Sequence, residues 1–452
     1  MKEGVFLTSA ELHYKKMTET PVPRLIVNLG IPTTISMLIT NIYNMADTYF
    51  VGNLGESAQA ATGVLFTLQA IIQGIAFMLG HGAGSFVSKS LADRDTNKAT
   101  MYISSSFFYG CAIGLLILAL GLIFLKPLVL FLGSTQTIAP YAMDYGFWIL
   151  LACPFIIGSL ILNNGLRYEG KAFYAMFGLT AGGLMNIFGD WLLVSKLNMG
   201  VAGAGLATAI SQVISFVILV IMYCKMAQSK LQLKAISRKF STMLAICRVG
   251  LPSLIRQGLT SVSNGLLNNL TKPFGDAAIA AMSVVSRYSM FLMCVGLGMG
   301  QGFQPVAAFN YQAKKYRRVK QGLVFTMCFG LVFIGSLGLV SIFAAESIIS
   351  IFQKTGAVIS IGAPALRYAA IGMMFMALSV PVNMLYQSIQ QPAISSFLSL
   401  LRSGAITIPM LLICVPAFDL LGIQIAQPVA DVLSGLISIF FIVRFLKNHP
   451  NE

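Results

Sequence analysis

The chain has 452 residues, of which 56% are hydrophobic and only 10% charged, against about 25% charged in an ordinary soluble domain. That excludes a water-soluble globule and points to an integral membrane protein, whose spanning helices each need about 20 apolar residues. The apolar runs are continuous, not alternating, which excludes a barrel of transmembrane strands. The net charge of +15 raises nucleic acid as a partner, and the placement of the charges argues against it.

Residues 1–24 form a polar N-terminal segment without a cleavable signal peptide. Six predicted helices then cover 25–51, 58–88, 98–125, 138–166, 172–195 and 201–224, an N-lobe of 25–224. A polar inter-lobe loop fills 225–242. Six more helices cover 243–269, 277–309, 320–344, 358–387, 393–415 and 421–446, a C-lobe of 243–446, and 447–452 is a tail. The expected fold is therefore an all-α integral membrane protein of twelve transmembrane helices in two six-helix lobes.

Lysine and arginine set the orientation. With both termini in the cytoplasm, 22 of the 30 basic residues fall inside, Arg167 among them. Four fall outside: Lys126, Lys196, Lys272 and Lys354. The segment "KKYRRVK" at 314–320 is then a cytoplasmic topology and lipid-headgroup signal. The seven cysteines lie in apolar runs without CxxC spacing and read as packing residues.

The halves repeat. Shifted by 220, "GIPTTISMLITNIYN" (30–44) lies on "GLPSLIRQGLTSVSN" (250–264), with Gly30, Pro32, Thr40 and Asn44 on Gly250, Pro252, Thr260 and Asn264. An even number of helices per half makes this a parallel pseudo-two-fold repeat, with a cavity expected at the lobe interface.

Three acidic residues lie deep in apolar helices: Asp47, Asp190 and Asp431. A carboxylate there is costly and is by default an ion- or proton-pathway candidate. Tyr43 is one turn before Asp47, and Asn186 one turn before Asp190. Two carboxylates, an amide and a phenol in a low-dielectric site can bind a small hard cation, Na⁺, or hold a proton. The sequence does not choose between them. Pro32 removes a backbone hydrogen bond and permits a bend in the first helix. The glycines of "GHGAG" (80–84) follow no strand and read as close helix packing, not a phosphate loop.

These residues carry a resemblance to the multidrug and toxic compound extrusion (MATE) family over roughly 22–446. Its carriers are "GIP" in the first helix, "YNMADTYFVG" at its end, "GHGAGSFVSKSLADRD" after the second, "NIFGDWLL" in the fifth helix, "GVAGAGLATAISQ" in the sixth, and the repeat. The chain is most similar to the DinF-like branch. The resemblance implies an N-lobe cation site at Asp47, Tyr43, Asn186, Asp190 and Thr208, and a helix bend at Pro32. The NorM branch adds acidic residues on the seventh and tenth helices, which this chain lacks.

Four arginines lie within helices of the C-terminal half: Arg256, Arg287, Arg367 and Arg402. Arginine cannot readily lose its proton, so each needs a partner: a backbone carbonyl or Asp431, a substrate anion, or a group of the N-lobe. Arg256, Arg287, Asn264 and Asp431 are the candidate substrate contacts. An arginine-rich lobe suits anionic or zwitterionic as well as cationic substrates.

The expected function is a secondary multidrug exporter of a bacterial cytoplasmic membrane. It would be an antiporter of H⁺ or Na⁺ with amphipathic small molecules, working by alternating access. The partners are the substrate and the lipid bilayer, without nucleic acid; a monomer suffices, and no cofactor is needed. The alternative is a flippase of lipid-linked saccharide precursors, which often has fourteen helices. No HExxH, GxSxG or metal-ligand cluster suggests an enzyme.

Overall fold

The structure is a computed structural model that describes residues 9–353 and 355–448. The ends of the terminal segments, and with them Lys2, as well as Lys354, lie outside the described residues. Among those described there is no strand. In chain order the helices are α1 (Ser9–Glu19), α2 (Val22–Gly52), α3 (Glu56–Ala92), α4 (Thr96–Ile123), α5 (Leu125–Phe131), α6 (Ala139–Tyr168), α7 (Ala172–Asp190) and α8 (Gly200–Met226). There follow α9 (Phe240–Thr271), α10 (Asp276–Gln312), α11 (Tyr316–Phe343), α12 (Ala345–Phe352), α13 (Gly356–Ser388), α14 (Pro392–Leu400) and α15 (Thr407–Asn448).

Ten segments are long and apolar enough to cross a membrane. Two more crossings complete the twelve. The first is α9, 32 residues long and more polar than the ten because Arg248, Arg256 and several Ser, Thr and Asn residues interrupt it. The second comes from the last of the ten, a 57-residue run over Pro392–Asn448. The chain turns sharply within it at Asp419 (φ 50°, ψ −126°), between the predicted spans 393–415 and 421–446.

The 220-residue repeat extends to features that hydropathy does not report. The short helices α5 and α12 begin 220 residues apart. So do the left-handed turn positions: Gly55 and Gly275, Arg94 and Lys314, Gly170 and Gln390. Arg94 (φ 59°) closes α3, and Asp95 then starts α4 by accepting from the Lys98 amide at 2.9 Å. The polar run "ADRD" is a built turn.

Contacts divide the chain into two units. One takes the chain up to Thr20 together with Ile31–Gln257; the other takes Pro21–Gly30 together with Gly258 onward. The division thus differs from the expected lobes 25–224 and 243–446. The opening turns of α2 belong to the second unit, and α9 up to Gln257 belongs to the first. Glycine explains the shift. A Cβ on Gly250 would meet the Met78 carbonyl oxygen at 1.7 Å, and one on Gly82 would meet that of Ile246 at 2.1 Å. These bare backbones press α9 against α3. Likewise Gly30 lies against Met299 and Gly302 in α10. Hydropathy finds a helix but not the partner its small residues admit.

The inter-lobe segment is not a free linker. After Met226 it lies on the first unit, pinned to three hydroxyls of α4. Thr100 and Ser104 accept from the amides of Lys230 and Gln232 at 3.1 Å each, and Ser105 from that of Ser237 at 2.9 Å. Its anchor is Glu169, which is fully buried. Glu169 accepts from the amides of Gln228 (2.6 Å) and Ser229 (3.1 Å) and from the Ser229 hydroxyl. Lys171 lies 3.7 Å away as its counter-ion. Burial outweighs these donors and raises the Glu169 carboxyl above its ordinary pKa.

Candidate cation site and the charged residues of each unit

The site of the first unit is built on α2, α3, α6, α7 and α8. Asp47 sits near the end of α2, 3% exposed. Tyr145 of α6 donates to its Oδ2 at 2.9 Å, and the Gln69 side chain of α3 reaches the Tyr145 hydroxyl at 3.5 Å. On α7, Asn186 and Asp190 are fully buried, one turn apart. Asn186 donates to the Thr208 hydroxyl of α8 at 3.1 Å. Tyr145 also reaches Thr208 and lies in the field of Asp190. The Asp47 charge acts on Asp190. Tyr43, half-buried, bonds the Gln212 side chain and feels the Asp47 charge.

Local structure explains the placement. α7 ends at Asp190, and the chain continues as a π-helical turn over Trp191–Lys196. Such insertions concentrate at functional sites, because they displace a side chain from its helical register. Gly183 lets α7 approach α2: a Cβ there would lie 2.6 Å from Ile39 and 3.1 Å from Tyr43. Pro32 is buried within an unbroken α2. The Ser36 hydroxyl donates to its carbonyl at 3.0 Å.

The decisive feature is what lacks a donor. Asp47 Oδ1, Asn186 Oδ1 and both oxygens of Asp190 are buried without a hydrogen-bond partner. Four acceptor oxygens in one buried cluster, two of them on a single carboxylate, leave negative charge uncompensated by protein donors. An added cation or proton is what such a cluster accepts.

Tyr145, Gln69 and Gln212 are members that sequence reasoning missed. Their only signal was a polar side chain inside an apolar helix. The N-terminal half also holds buried bases that the sequence reading did not single out. Arg167, read from sequence as a cytoplasmic residue, is 1% exposed and donates to Asn164. His81 is fully buried, with its Nδ1 2.6 Å from the Ser253 hydroxyl. Arg256, assigned to the C-lobe by chain position, belongs to the first unit, where its charge acts on His81 and Arg167.

The second unit scatters the other candidates. Arg287 and Asn264 are exposed. Arg367 donates to the Ile342 carbonyl at 3.1 Å and pairs with Glu346 of α12 at 3.3 Å, on a short helix not foreseen. Asp431, expected as a substrate contact, is held by Arg402 at 2.9 Å and accepts from Gln427 at 3.2 Å. Among the described residues no group of three or more metal-ligating side chains exists.

The MatE family model matches residues 32–192 and again 252–413, once in each half at the offset of the internal repeat. Among characterised proteins the chain is similar to the multidrug export protein MepA of Staphylococcus aureus, 26% identical over 442 residues that span 96% of this chain and 95% of that protein. Its fold is that of a multidrug resistance MATE family transporter of the MOP superfamily solved in an outward-facing conformation. The TM-score is 0.89 at 22% identity, covering 97% of this chain and 98% of the other. A MOP superfamily transporter from Pyrococcus furiosus, described by a reversed polarity of its binding pocket, matches with a TM-score of 0.87 at 22% identity, over 96% and 98% of the two chains.

Proposed function

The chain belongs to the MatE family of membrane transporters, which are not enzymes, and from that premise we propose that it is a cation-coupled exporter of amphipathic compounds. The observation that carries this reading is the cluster of four donorless oxygens on Asp47, Asn186 and Asp190. A proton or Na⁺ entering it neutralises a carboxylate that the protein leaves uncompensated. Tyr145 holds one oxygen of Asp47 and orients the other. Thr208 fixes the Asn186 amide so that its oxygen stays free. Tyr43 stands one turn away as a further oxygen.

Coupling requires that the cation and the substrate each favour a different state of the transporter. Asp47 lies four turns beyond Pro32 on the same helix, and the amide missing at Pro32 makes that helix easy to bend. Loading the site would then change the shape of α2 and release substrate. The excess of basic residues on one side of the predicted crossings supports both termini in the cytoplasm of a bacterial cell, and a single two-lobed chain is the proposed working unit. MepA is named for multidrug export, which supports a broad substrate range. Arg256 and Arg287 remain the proposed contacts with anionic or zwitterionic parts of substrates, with Asn264 and Asp431 as the proposed polar contacts beside them.

Dye efflux from inverted vesicles under an imposed H⁺ or Na⁺ gradient tests this. Gradient-driven efflux in the wild type, lost in Asp47→Asn at equal membrane levels, is the expected result and identifies the ion. Undiminished coupled efflux in Asp47→Asn would refute the assignment.

A further inference from the structure

The strap between α8 and α9 ties down its backbone and leaves its basic side chains outward. Residues 225–242 carry five basic residues, Lys225, Lys230, Lys234, Arg238 and Lys239, and no acid. All five are exposed, and none forms an ion pair among the described residues. Among them stand two of the most exposed apolar side chains of the first unit, Leu233 at 69% and Phe240 at 79%. A loose loop could turn such residues inward. This one is held by the amide bonds to Thr100, Ser104, Ser105 and Glu169. Two of its carbonyls are held as well. Lys230 accepts from the Ser104 hydroxyl at 3.1 Å, and Ser237 from the Tyr109 hydroxyl at 3.0 Å.

These bonds also set its depth. α4 begins at Thr96, so Thr100 and Ser105 lie about 6 and 14 Å along it at about 1.5 Å per residue, within the expected span 98–125. One headgroup layer is about 5–7 Å thick. The strap therefore runs beside α4 at the boundary between headgroups and hydrocarbon. Tyr109 heads the lipid-facing stripe of that helix: Leu116, Leu120 and Ile123 follow on the same face, all exposed. The Ser237 carbonyl rests on this tyrosine, so the strap adjoins the lipid-facing surface.

We propose that the strap is a docking surface for an anionic phospholipid of the cytoplasmic leaflet. Lys230, Lys234, Arg238 and Lys239 receive its phosphate, each worth about fivefold in affinity near a charged membrane surface. Leu233 and Phe240 enter the acyl boundary beneath them, the arrangement of an interfacial anchor. A water-soluble acidic partner would compensate the charges and leave both apolar side chains in water. A zwitterionic headgroup carries its own cation beside its phosphate and leaves the charge of the strap uncompensated. An anionic lipid meets both needs. Its docking would fasten the connection from α8 to α9 to the membrane. The choice of leaflet rests on the orientation proposed above; the surface itself does not.

The test is photolabelling of the full chain in phosphatidylcholine nanodiscs that contain a trace of phosphatidylglycerol with a diazirine on its acyl chain, next to the glycerol. Label is expected on residues 225–242, displaced by unlabelled phosphatidylglycerol and not by phosphatidylcholine. The matching phosphatidylcholine probe should label the strap about tenfold less. Lys230→Gln, Lys234→Gln and Lys239→Gln together should abolish that preference and leave the labelling of the basic segment 314–320 unchanged. Leu233→Ser with Phe240→Ser should lower the strap label of both probes. Equal labelling by the two probes in the wild type, or a preference that survives the triple variant, overturns the proposal. A strap labelled by neither probe also overturns it and points to a water-soluble partner. Should a variant not fold, the wild-type comparison decides alone. Both leaflets carry the probe and no ion gradient is imposed, so failure of coupled export and failure of this surface are read separately.

Discussion

In the first unit, Asp190 ends α7 where the helix widens into a π turn, and neither of its carboxylate oxygens meets a donor. In the second, Arg402 lies within a π turn of its own and is held by Asp431. Both units place a charge at the same kind of backbone irregularity in their fifth crossing. One leaves the charge to be compensated from outside, and the other compensates it internally. The first is therefore suited to loading and unloading, and the second is a fixed ion pair. Pseudo-symmetry of the backbone does not extend to the chemistry.

The comparison breaks most visibly under partner removal. Arg402→Gln leaves a buried carboxylate uncompensated and should cost about 3–5 kcal/mol. Thermal unfolding should recover most of that loss when Asp431→Asn is added; a wild-type melt for Arg402→Gln alone would show that the pair is not structural.

Next come the glycines at the start of each half. Gly250→Ala drives a Cβ into the Met78 backbone carbonyl and should destabilise by about 3 kcal/mol. At the equivalent Gly30 the nearest atom is the Met299 sulfur, at 2.5 Å, the adaptable end of a side chain. Gly30→Ala should therefore be the milder change, and equal losses in denaturation would remove the asymmetry.

Acid and alkali should separate two devices of the first unit. His13 of α1 is 7% exposed; burial first, then Lys171 and Lys16, lowers its pKa from 6.5 to about 4. Its neutral form is the docked one, so docking of α1 is full above pH 6.5 and weakens as pH falls towards 4, by up to about 3 kcal/mol. Glu169 has the opposite sign. Its carboxyl is raised, so its contribution is greatest in acid and declines as pH rises from 4.5 through the raised value. Hydrogen exchange should show α1 loosening in acid and the inter-lobe strap tightening. Parallel behaviour would contradict the signs.

The smallest expected effect is the most telling. Asp190→Asn removes an uncompensated charge, and should leave stability unchanged or raise it by about 1 kcal/mol while abolishing coupled efflux. A large loss of stability would make Asp190 a structural residue.

Much of the fold was legible because membrane crossings are written in hydropathy and the halves repeat at 220. Asp47, Asn186 and Asp190 stood out because a polar group in lipid is rare. What stayed hidden depends on packing. Tyr145 joins Asp47 across 98 residues of chain, and a tyrosine in an apolar helix carries no mark of its partner. Glu169 read as a loop residue because burial at a helix end comes from the strap folding over it. Arg256 was assigned by chain position, whereas Gly82 and Gly250 decide which helix its segment meets.

The central claim, that the Asp47–Asp190 site carries the coupling ion, is tested most directly by letting substrate drive the ion. Proteoliposomes loaded with ethidium and diluted into dye-free buffer carry an interior reporter of pH or of Na⁺. Outward dye flow should bring the cation in, as internal acidification or a Na⁺ rise, and Asp47→Asn should silence that signal. Dye leaving through the wild-type protein with no cation moving inward would contradict the account.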